Sequence, residues 1–301
     1  MPATVKIIQP GTIGKPNPFT VCIVANPALE SPWSGGTFIS DAMPTQPAIF
    51  DTAVQFILDC LYGRLPRQAE KVFDDPAIGP NIRIVSVLET GLPATDGNAL
   101  AAEDGTSNLL IPRRTKFAPF LAARGIGVVD IAYAVSASLE HDRASAYPAT
   151  DDDTDAGVAF TFDGIAFSHR HFSLIPGTIA LHATSRSLTP LHEFGHALSS
   201  YTNGRIADLY VDSSPAVNCK SGRPIPLNFA NYNGRIYSAD PTRDGLGYGP
   251  GWSSYHCELI QPALPAVMDN YFQSSTVPEE CQHDAITRQF LRDRLIAKIG
   301  R

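Results

Sequence analysis

The sequence predicts an α/β fold, in which helices cover a sheet, and two observations in the first half of the chain support this prediction. Apolar segments rich in β-branched residues have the length of buried strands and occur at 4–8, 20–25, 82–88 and 127–135. Between the second and third of these, apolar residues recur at helical spacing, at Phe50, Val54, Ile57 and Leu61. This alternation of strand and helix is typical of a layered α/β domain.

The middle of the chain leads into one well-marked helix. A polar and acidic stretch at 142–156 is expected to form a surface loop. Strand-like segments follow, and the last of them, at 178–184, runs directly into a helix that begins near Thr189. We expect that last strand to present an exposed sheet edge, with which an extended peptide can pair.

Regular periodicity fades after this helix, so we divide the chain there. Residues 1–203 form a predicted N-terminal α/β subdomain that ends with the helix. Residues 204–301 form a predicted C-terminal subdomain, which is rich in loops and closes with a helix from about Asp284 to Lys298. We expect the two subdomains to make one domain overall.

Charge and hydropathy exclude several classes of partner. The 301 residues include 30 Asp and Glu against 23 Lys and Arg, a formal net charge of −7. No basic cluster is present to neutralise phosphates, so we expect no nucleic-acid partner. No apolar run reaches the length of a membrane span, and the first residues lack the pattern of a secretory signal. We therefore expect a monomer without membrane contact, which is either cytoplasmic or a trimmed secreted form.

The five cysteines are widely and irregularly spaced, which fits neither a disulfide scaffold nor a paired-cysteine zinc site. Cys22 and Cys60 lie in apolar segments and are expected to be buried thiols. Cys219, Cys257 and Cys281 lie in loop-rich sequence, where one disulfide among them remains an alternative.

The most informative pattern in the chain is His-Glu-Phe-Gly-His at 192–196. Residues four apart stand on the same face of a helix, so His192 and His196 are placed to bind one metal ion through their imidazole nitrogens. Glu193 lies beside them and is expected to act as a general base without binding the metal. This spacing is typical of zinc peptidases, so we expect one zinc ion as the cofactor.

The residues around the motif suit an amphipathic helix. Thr189 is a predicted N-cap, and Pro190 suits the first helical position. A buried stripe is predicted at Leu191, Phe194, Leu198 and Tyr201, with Gly204 ending the helix. Gly195 inside a helix costs about 1 kcal/mol relative to alanine. We therefore expect it to permit the close approach of another backbone.

A catalytic zinc ion normally has three protein ligands, so one further donor is needed. Asp208 and Asp212 are the next donors along the chain and remain alternatives on spacing alone. The metzincin pattern is absent because Ser199 and Thr202 stand where it requires glycine and a third ligand. A glutamate ligand on a later helix would have to come from Glu258, Glu279 or Glu280.

The segment HEFGHALSSYTNGRIADLYVD resembles the HEFGH…ADEY segment of the IgA-peptidase family of zinc metallopeptidases. The resemblance implies a zincin-like fold, in which a mixed, twisted sheet carries the active-site helix. It also implies hydrolysis of peptide bonds in protein substrates, with Asp208 as the third metal ligand. Met268 in the segment PALPAVMDNYF would form a methionine turn under the metal, as in related zincins.

Several functional questions stay open at the level of sequence. An inactive zinc protein that binds glycan or peptide, and a zinc hydrolase of a non-peptide amide or ester, are alternatives to a peptidase. The candidate donors for the developing oxyanion are Tyr210, Tyr237, Tyr248, Tyr255, Tyr271 and His256, and the sequence does not choose among them. The remaining histidines are expected to be structural or exposed, namely His141, His169, His171, His182 and His283.

Overall fold

The structure is a computed structural model of the full chain. It describes residues 3–11, 18–127, 129–151, 158–162, 165–169, 173–198, 237–238, 254–255, 267–268, 277–283 and 285–299. The predicted boundary between residues 203 and 204 lies outside these ranges.

The described residues form a mixed α/β fold. The helices are α1 (Pro47–Leu61), α2 (Arg114–Ala122), α3 (Thr189–Leu198) and α4 (Ala285–Ile299). The first eight strands are β1 (Thr4–Pro10), β2 (Phe19–Ala25), β3 (Ala28–Glu30), β4 (Phe38–Ser40), β5 (Ile82–Leu88), β6 (Ala99–Glu103), β7 (Leu110–Pro112) and β8 (Ile131–Ser136). The others are β9 (Ser145–Tyr147), β10 (Thr150–Asp151), β11 (Val158–Phe162), β12 (Ile165–His169), β13 (Ser173–Ile175), β14 (Gly177–His182), β15 (Tyr237–Ser238) and β16 (Ser254–Tyr255).

The main sheet has six strands in the order β1-β5-β2-β8-β14-β9. The four central strands, β5, β2, β8 and β14, are parallel to one another. β1 and β9 pair antiparallel at the two ends. All seven residues of β2 are buried, as expected for a parallel strand that is covered on both faces. The predicted α/β class is therefore confirmed.

A smaller sheet with the order β4-β3-β6-β7 lies beside the main one, and three further strand pairs, β10–β13, β11–β12 and β15–β16, complete the described strands. In the smaller sheet, β3 and β6 are parallel, and the outer pairs are antiparallel. Arg113, which follows β7, forms an ion pair with Glu30 at the end of β3, with 2.8 Å between Nε and Oε2. Both side chains are largely buried, so the pair fixes two separate segments of this sheet to each other.

Two sequence predictions about the main sheet are wrong. The strand ahead of α3 is β14, and it is internal because β8 and β9 pair with its two sides. Among the described strands, the edge on this side is β9. β9 lies within 142–156, the stretch predicted to be a loop. Its Ser145, Ala146 and Tyr147 are half-buried, and pairing with β14 outweighs their polar surroundings in the sequence.

Helices cover both faces of the sheet. On one face, α1, α3 and α4 share a core with β2, β8 and β14, to which they contribute Ile57, Phe194 and Leu295. On the other face, α2 packs against the opposite side of β2 and β8 through Phe117, Phe120 and Leu121. The helix that carries the sequence motif therefore lies between the sheet, α1 and α4. Within the described part of the chain, no helix is both long enough and apolar enough to span a membrane.

Two of the cysteine predictions are confirmed. Cys22 and Cys60 are fully buried thiols, and burial raises the pKa of each to about 12. Cys281 is also buried. Cys219 and Cys257 lie outside the described residues.

A buried carboxylate joins the carboxyl ends of two central strands. Asp41 accepts hydrogen bonds at Oδ2 from Asn26 Nδ2 (2.9 Å) and from the hydroxyl of Ser136 (2.6 Å). At Oδ1 it accepts from the backbone N–H groups of Met43 and Ala137, both at 2.9 Å. Burial raises the pKa of Asp41 above its ordinary value, although these four hydrogen bonds act in the opposite direction. Asn26 follows β2 and Ser136 ends β8, so Asp41 fixes the ends of these neighbouring strands.

We expect Asp41→Ala to lower the free energy of unfolding by at least about 3 kcal/mol, because four donors, three of them on buried residues, lose their acceptor. Asp51→Ala is the control. Asp51 forms an exposed ion pair with Lys6, so its loss should cost less than about 1 kcal/mol. Urea denaturation of both variants measures the difference, and equal losses would contradict the proposed role of Asp41.

Candidate active site

Helix α3 runs back across β14, from the carboxyl end of that strand to its beginning. Near the end of the helix, the carbonyl oxygen of Ala197 accepts a hydrogen bond from the Ala149 backbone N–H at 3.2 Å. A Cβ atom on Gly177, the first residue of β14, would lie only 2.2 Å from this oxygen. Glycine at 177 therefore lets the end of α3 come into direct contact with the sheet.

The buried side of α3 agrees with the prediction. Leu191, Phe194 and Leu198 are fully buried in the core, whereas Tyr201 lies outside the described residues. The predicted N-cap is displaced by one residue, because Thr189 is already the first helical residue. Its hydroxyl donates a hydrogen bond to the Arg186 carbonyl at 2.9 Å.

The two histidines of the motif lie together on the helix. His192 and His196 are both half-buried, and their ring centroids are 5.0 Å apart with the planes at 78°. Neither ring belongs to the stripe that packs on the sheet. The structure thus brings together the two imidazoles that the sequence predicts as metal ligands.

A backbone carbonyl orients His192. The Nδ1 atom of His192 lies 2.7 Å from the carbonyl oxygen of Val267. A carbonyl only accepts hydrogen bonds, so in the neutral ring the proton is on Nδ1 and the lone pair is on Nε2. Histidines that bind metals commonly have this kind of support, in which the second ring nitrogen donates to a carbonyl or carboxylate.

Glu193 is a largely buried residue of the same helix. Its side chain is buried, with 7% of the residue surface exposed, and it lies near Tyr133 of β8. Burial is the main cause that keeps the pKa of Tyr133 well above its ordinary value, and the neighbouring Glu193 acts in the same direction. Tyr133 therefore stays protonated and donates to the Pro190 carbonyl in the first turn of α3, at 3.0 Å.

Gly195 makes room for a methionine. A Cβ atom at Gly195 would lie 2.6 Å from Sδ of Met268 and 3.2 Å from its Cε. Met268 and Val267 form a fully buried turn against α3. The predicted close approach is therefore real, but the partner is a side chain and not a backbone. One turn therefore makes both contacts: Met268 packs against Gly195, and the Val267 carbonyl orients the ring of His192.

Most of the candidates for a third metal ligand lie outside the described residues. Asp208, Asp212 and Glu258 all lie outside them, and the ranges that are described contain no cluster of three or more His, Cys, Asp or Glu side chains arranged to hold a metal. Glu280 forms an ion pair with Arg67, at 2.5 Å between Oε1 and Nη2.

The oxyanion donors proposed from the sequence are also undetermined. Tyr237 and Tyr255 face each other across the β15–β16 pair, and only their backbone is described. The other candidates, Tyr210, Tyr248, Tyr271 and His256, lie outside the described residues.

Three further histidines have structural contacts, as expected. The Nε2 atom of His141 is 2.7 Å from the Asp104 carbonyl, and Nε2 of His182 is 3.0 Å from the Ser138 carbonyl. His283 is fully buried beside Glu70. His169 is described only in its backbone, and His171 lies outside the described residues.

Comparisons of the chain with protein-family models, with curated proteins and with solved structures found no match. The residues of α3 and the turn that packs against it are therefore the basis for inferring a function.

We expect Gly195→Ala to destabilise the protein by about 1–2 kcal/mol, because the new methyl group collides with Met268 in a filled core. In an unobstructed helix the same change is stabilising by about 1 kcal/mol. The matched test is Gly195→Ala in a Met268→Ala background, where the colliding sulfur is gone and the change should be neutral or stabilising. Thermal or urea denaturation of the four proteins gives the coupling, and additive effects would contradict the contact.

Proposed function

We propose that this protein is a zinc-dependent metallopeptidase with a zincin-like arrangement, as its resemblance to the IgA-peptidase family implies. The observation that supports this most directly is the geometry of α3. Two imidazoles lie one helical turn apart, and a backbone carbonyl holds the ring of His192 in the tautomer that binds metals. Glu193 stands between them in the sequence and is the proposed general base.

The donor set fits zinc. His192 and His196 supply two nitrogen ligands, and Asp208 is the proposed oxygen ligand, with Asp212 as its competitor. Zinc sites with three protein ligands of this kind keep a fourth position for water or substrate. When bound, zinc polarises a substrate carbonyl and lowers the pKa of a water ligand to about 7.

Glu193 performs the proton transfers in this proposal. Its carboxylate removes a proton from the attacking water and later delivers that proton to the nitrogen of the leaving amine. The surroundings of Glu193 suit this task, because the side chain is largely screened from bulk solvent. The retention of Glu193 favours a hydrolase over a zinc protein that only binds its ligand.

An extended substrate would lie along β9 in this proposal. β9 is the outer strand on this side of the described main sheet, and it lies next to β14, which leads into α3. The segment after β9 also contacts α3 directly, through the hydrogen bond from Ala149 to Ala197. Substrate main chain paired with β9 would therefore lie beside the helix that carries the histidines.

We expect Glu193→Gln to lower the rate of casein cleavage by at least about 100-fold, because the amide cannot accept the proton from water. The zinc content should remain at one ion per chain, since Glu193 is not a proposed ligand. Metal analysis and a protease assay on the same preparation test both statements.

Two results would count against the peptidase proposal. Cleavage by Glu193→Gln at the rate of the unaltered protein would remove Glu193 from the mechanism. Unaltered protein that binds zinc but does not cleave casein would favour the alternatives, and ester and non-peptide amide substrates would then separate a hydrolase from a binding protein.

The third ligand can be identified by comparing two neighbouring aspartates. We expect Asp208→Ala to weaken zinc binding by at least about 100-fold, comparably to His196→Ala, because each removes one of three ligands. Asp212→Ala is the matched control and should leave zinc affinity within about threefold. Chelator competition measures all three variants, and the reverse order would assign the ligand to Asp212.

A further inference from the structure

The turn that orients His192 is itself held by a segment near the C-terminus. The backbone N–H of Val267 donates to the carbonyl oxygen of Gln282 at 3.0 Å. The carbonyl of the same residue, Val267, accepts from Nδ1 of His192. The position of the His192 ring therefore depends on where the backbone at Gln282 lies.

Glu70 forms a hydrogen bond with His283, the residue that follows Gln282. Its Oε2 accepts a hydrogen bond from the His283 backbone N–H at 2.7 Å and lies 3.5 Å from Nδ1 of the same residue. The guanidinium Nη2 of Arg288 in α4 lies 3.2 Å from this oxygen. Burial alone would raise the pKa of Glu70, but the hydrogen bonds and charge of His283 and the charge of Arg288 outweigh it and hold the value at about 2. Glu70 is thus an ionised carboxylate in a buried position.

The loop that carries Glu70 is fixed to the core. The side-chain amide of Gln68 donates to the carbonyl oxygens of Cys60 in α1 (2.7 Å) and of Glu70 (2.9 Å). Phe73 is fully buried and packs edge-on against Phe194 of α3, with the ring centroids 5.4 Å apart. Glu70 therefore occupies a defined position relative to the helix that carries the histidines.

Two side-chain ion pairs between this loop and the C-terminal residues are more exposed. Arg67 pairs with Glu280, and Asp75 pairs with Arg292, in both cases with side chains that are partly in solvent. Ion pairs of this kind contribute little to stability. The buried Glu70, which faces both a backbone N–H and a guanidinium, is the contact best suited to fix the backbone near Gln282.

We propose that Glu70 is a positioning residue for the metal site. It fixes the ring of His192 through His283, Gln282 and Val267, and it does not contact His192 or His196 itself. The links are the hydrogen bonds from His283 N–H to Glu70, from Val267 N–H to the Gln282 carbonyl, and from His192 Nδ1–H to the Val267 carbonyl. The part of this inference that concerns zinc rests on the proposed function. The part that concerns the His192 ring does not.

We expect Glu70→Ala to weaken zinc binding about tenfold, the lower end of the effect of removing an outer-shell partner, because Glu70 acts through two further hydrogen bonds. In the metal-free protein, the Nδ1 proton of His192 should be visible by NMR as a protected ring signal, assigned by its absence in His192→Ala. Glu70→Ala should broaden or abolish that signal. Glu70→Gln, which keeps an acceptor for the His283 N–H, should recover most of both properties.

Arg292→Gln is the matched control, since it removes the exposed contact between the same loop and α4. It should leave zinc affinity within about twofold and the ring signal unchanged. If Glu70→Ala is folded and keeps both properties, or if Arg292→Gln impairs them equally, the positioning role of Glu70 is wrong. If Glu70→Ala does not fold, Arg288→Met replaces it, because the half-exposed Arg288 also binds Gln282 and the His283 carbonyl.

The outcomes separate this inference from the proposed function. Unaltered protein that takes up no zinc refutes the proposed function, and the ring signal alone then decides the role of Glu70. Unaltered protein that binds zinc, together with unchanged affinity and ring signal in Glu70→Ala, refutes the positioning role and leaves the proposed function standing.

Discussion

The hydrogen bond between His192 Nδ1 and the carbonyl oxygen of Val267 is the interaction on which the candidate site depends. An imidazole on a helix surface rotates about two side-chain torsions and exchanges between two tautomers. A fixed carbonyl 2.7 Å from Nδ1 removes both freedoms, because it selects the protonated nitrogen and the direction of the ring. The helix supplies the four-residue spacing of the histidines, but a segment 75 residues further along the chain supplies the orientation. The site is therefore a property of the folded chain and not of α3 alone.

Two glycines set the depth at which α3 packs. At Gly177 a side chain would meet the Ala197 carbonyl, and at Gly195 it would meet the sulfur of Met268. The first glycine lets the end of the helix touch β14, and the second lets Met268 pack against the helix. Glycine inside a helix costs about 1 kcal/mol relative to alanine. The buried contacts of Met268 and the hydrogen bond from His192 to Val267 offset the helix-propensity cost of glycine at position 195.

The sequence predicts those features that arise from local patterns. Sequence patterns predict α1, α3, α4 and the strands β1, β2, β5, β8 and β14, because each has a continuous apolar stripe or run. Helix α2 was missed because Pro119 lies inside it. β6 was missed because its residues are mostly alanine, which favours strands weakly. In the site, the motif located His192, Glu193 and His196. Val267, Tyr133 and Glu70 act through contacts between distant segments, and no pattern near them marks that role.

Two of the buried carboxylates, Asp41 and Glu70, differ in how their surroundings affect their pKa values. Asp41 faces only neutral donors, so burial dominates and raises its pKa, whereas Glu70 faces His283 and Arg288, which lower its pKa to about 2. Asp41 thus fixes strand ends by hydrogen bonding, and Glu70 holds the C-terminal segment as an anion. That segment also completes the main core, to which it contributes Val267, Met268, Leu291, Leu295 and Ile299. Because these residues share one core with Phe194 of α3, the C-terminal segment and the helix that carries His192 are stabilised by the same buried cluster.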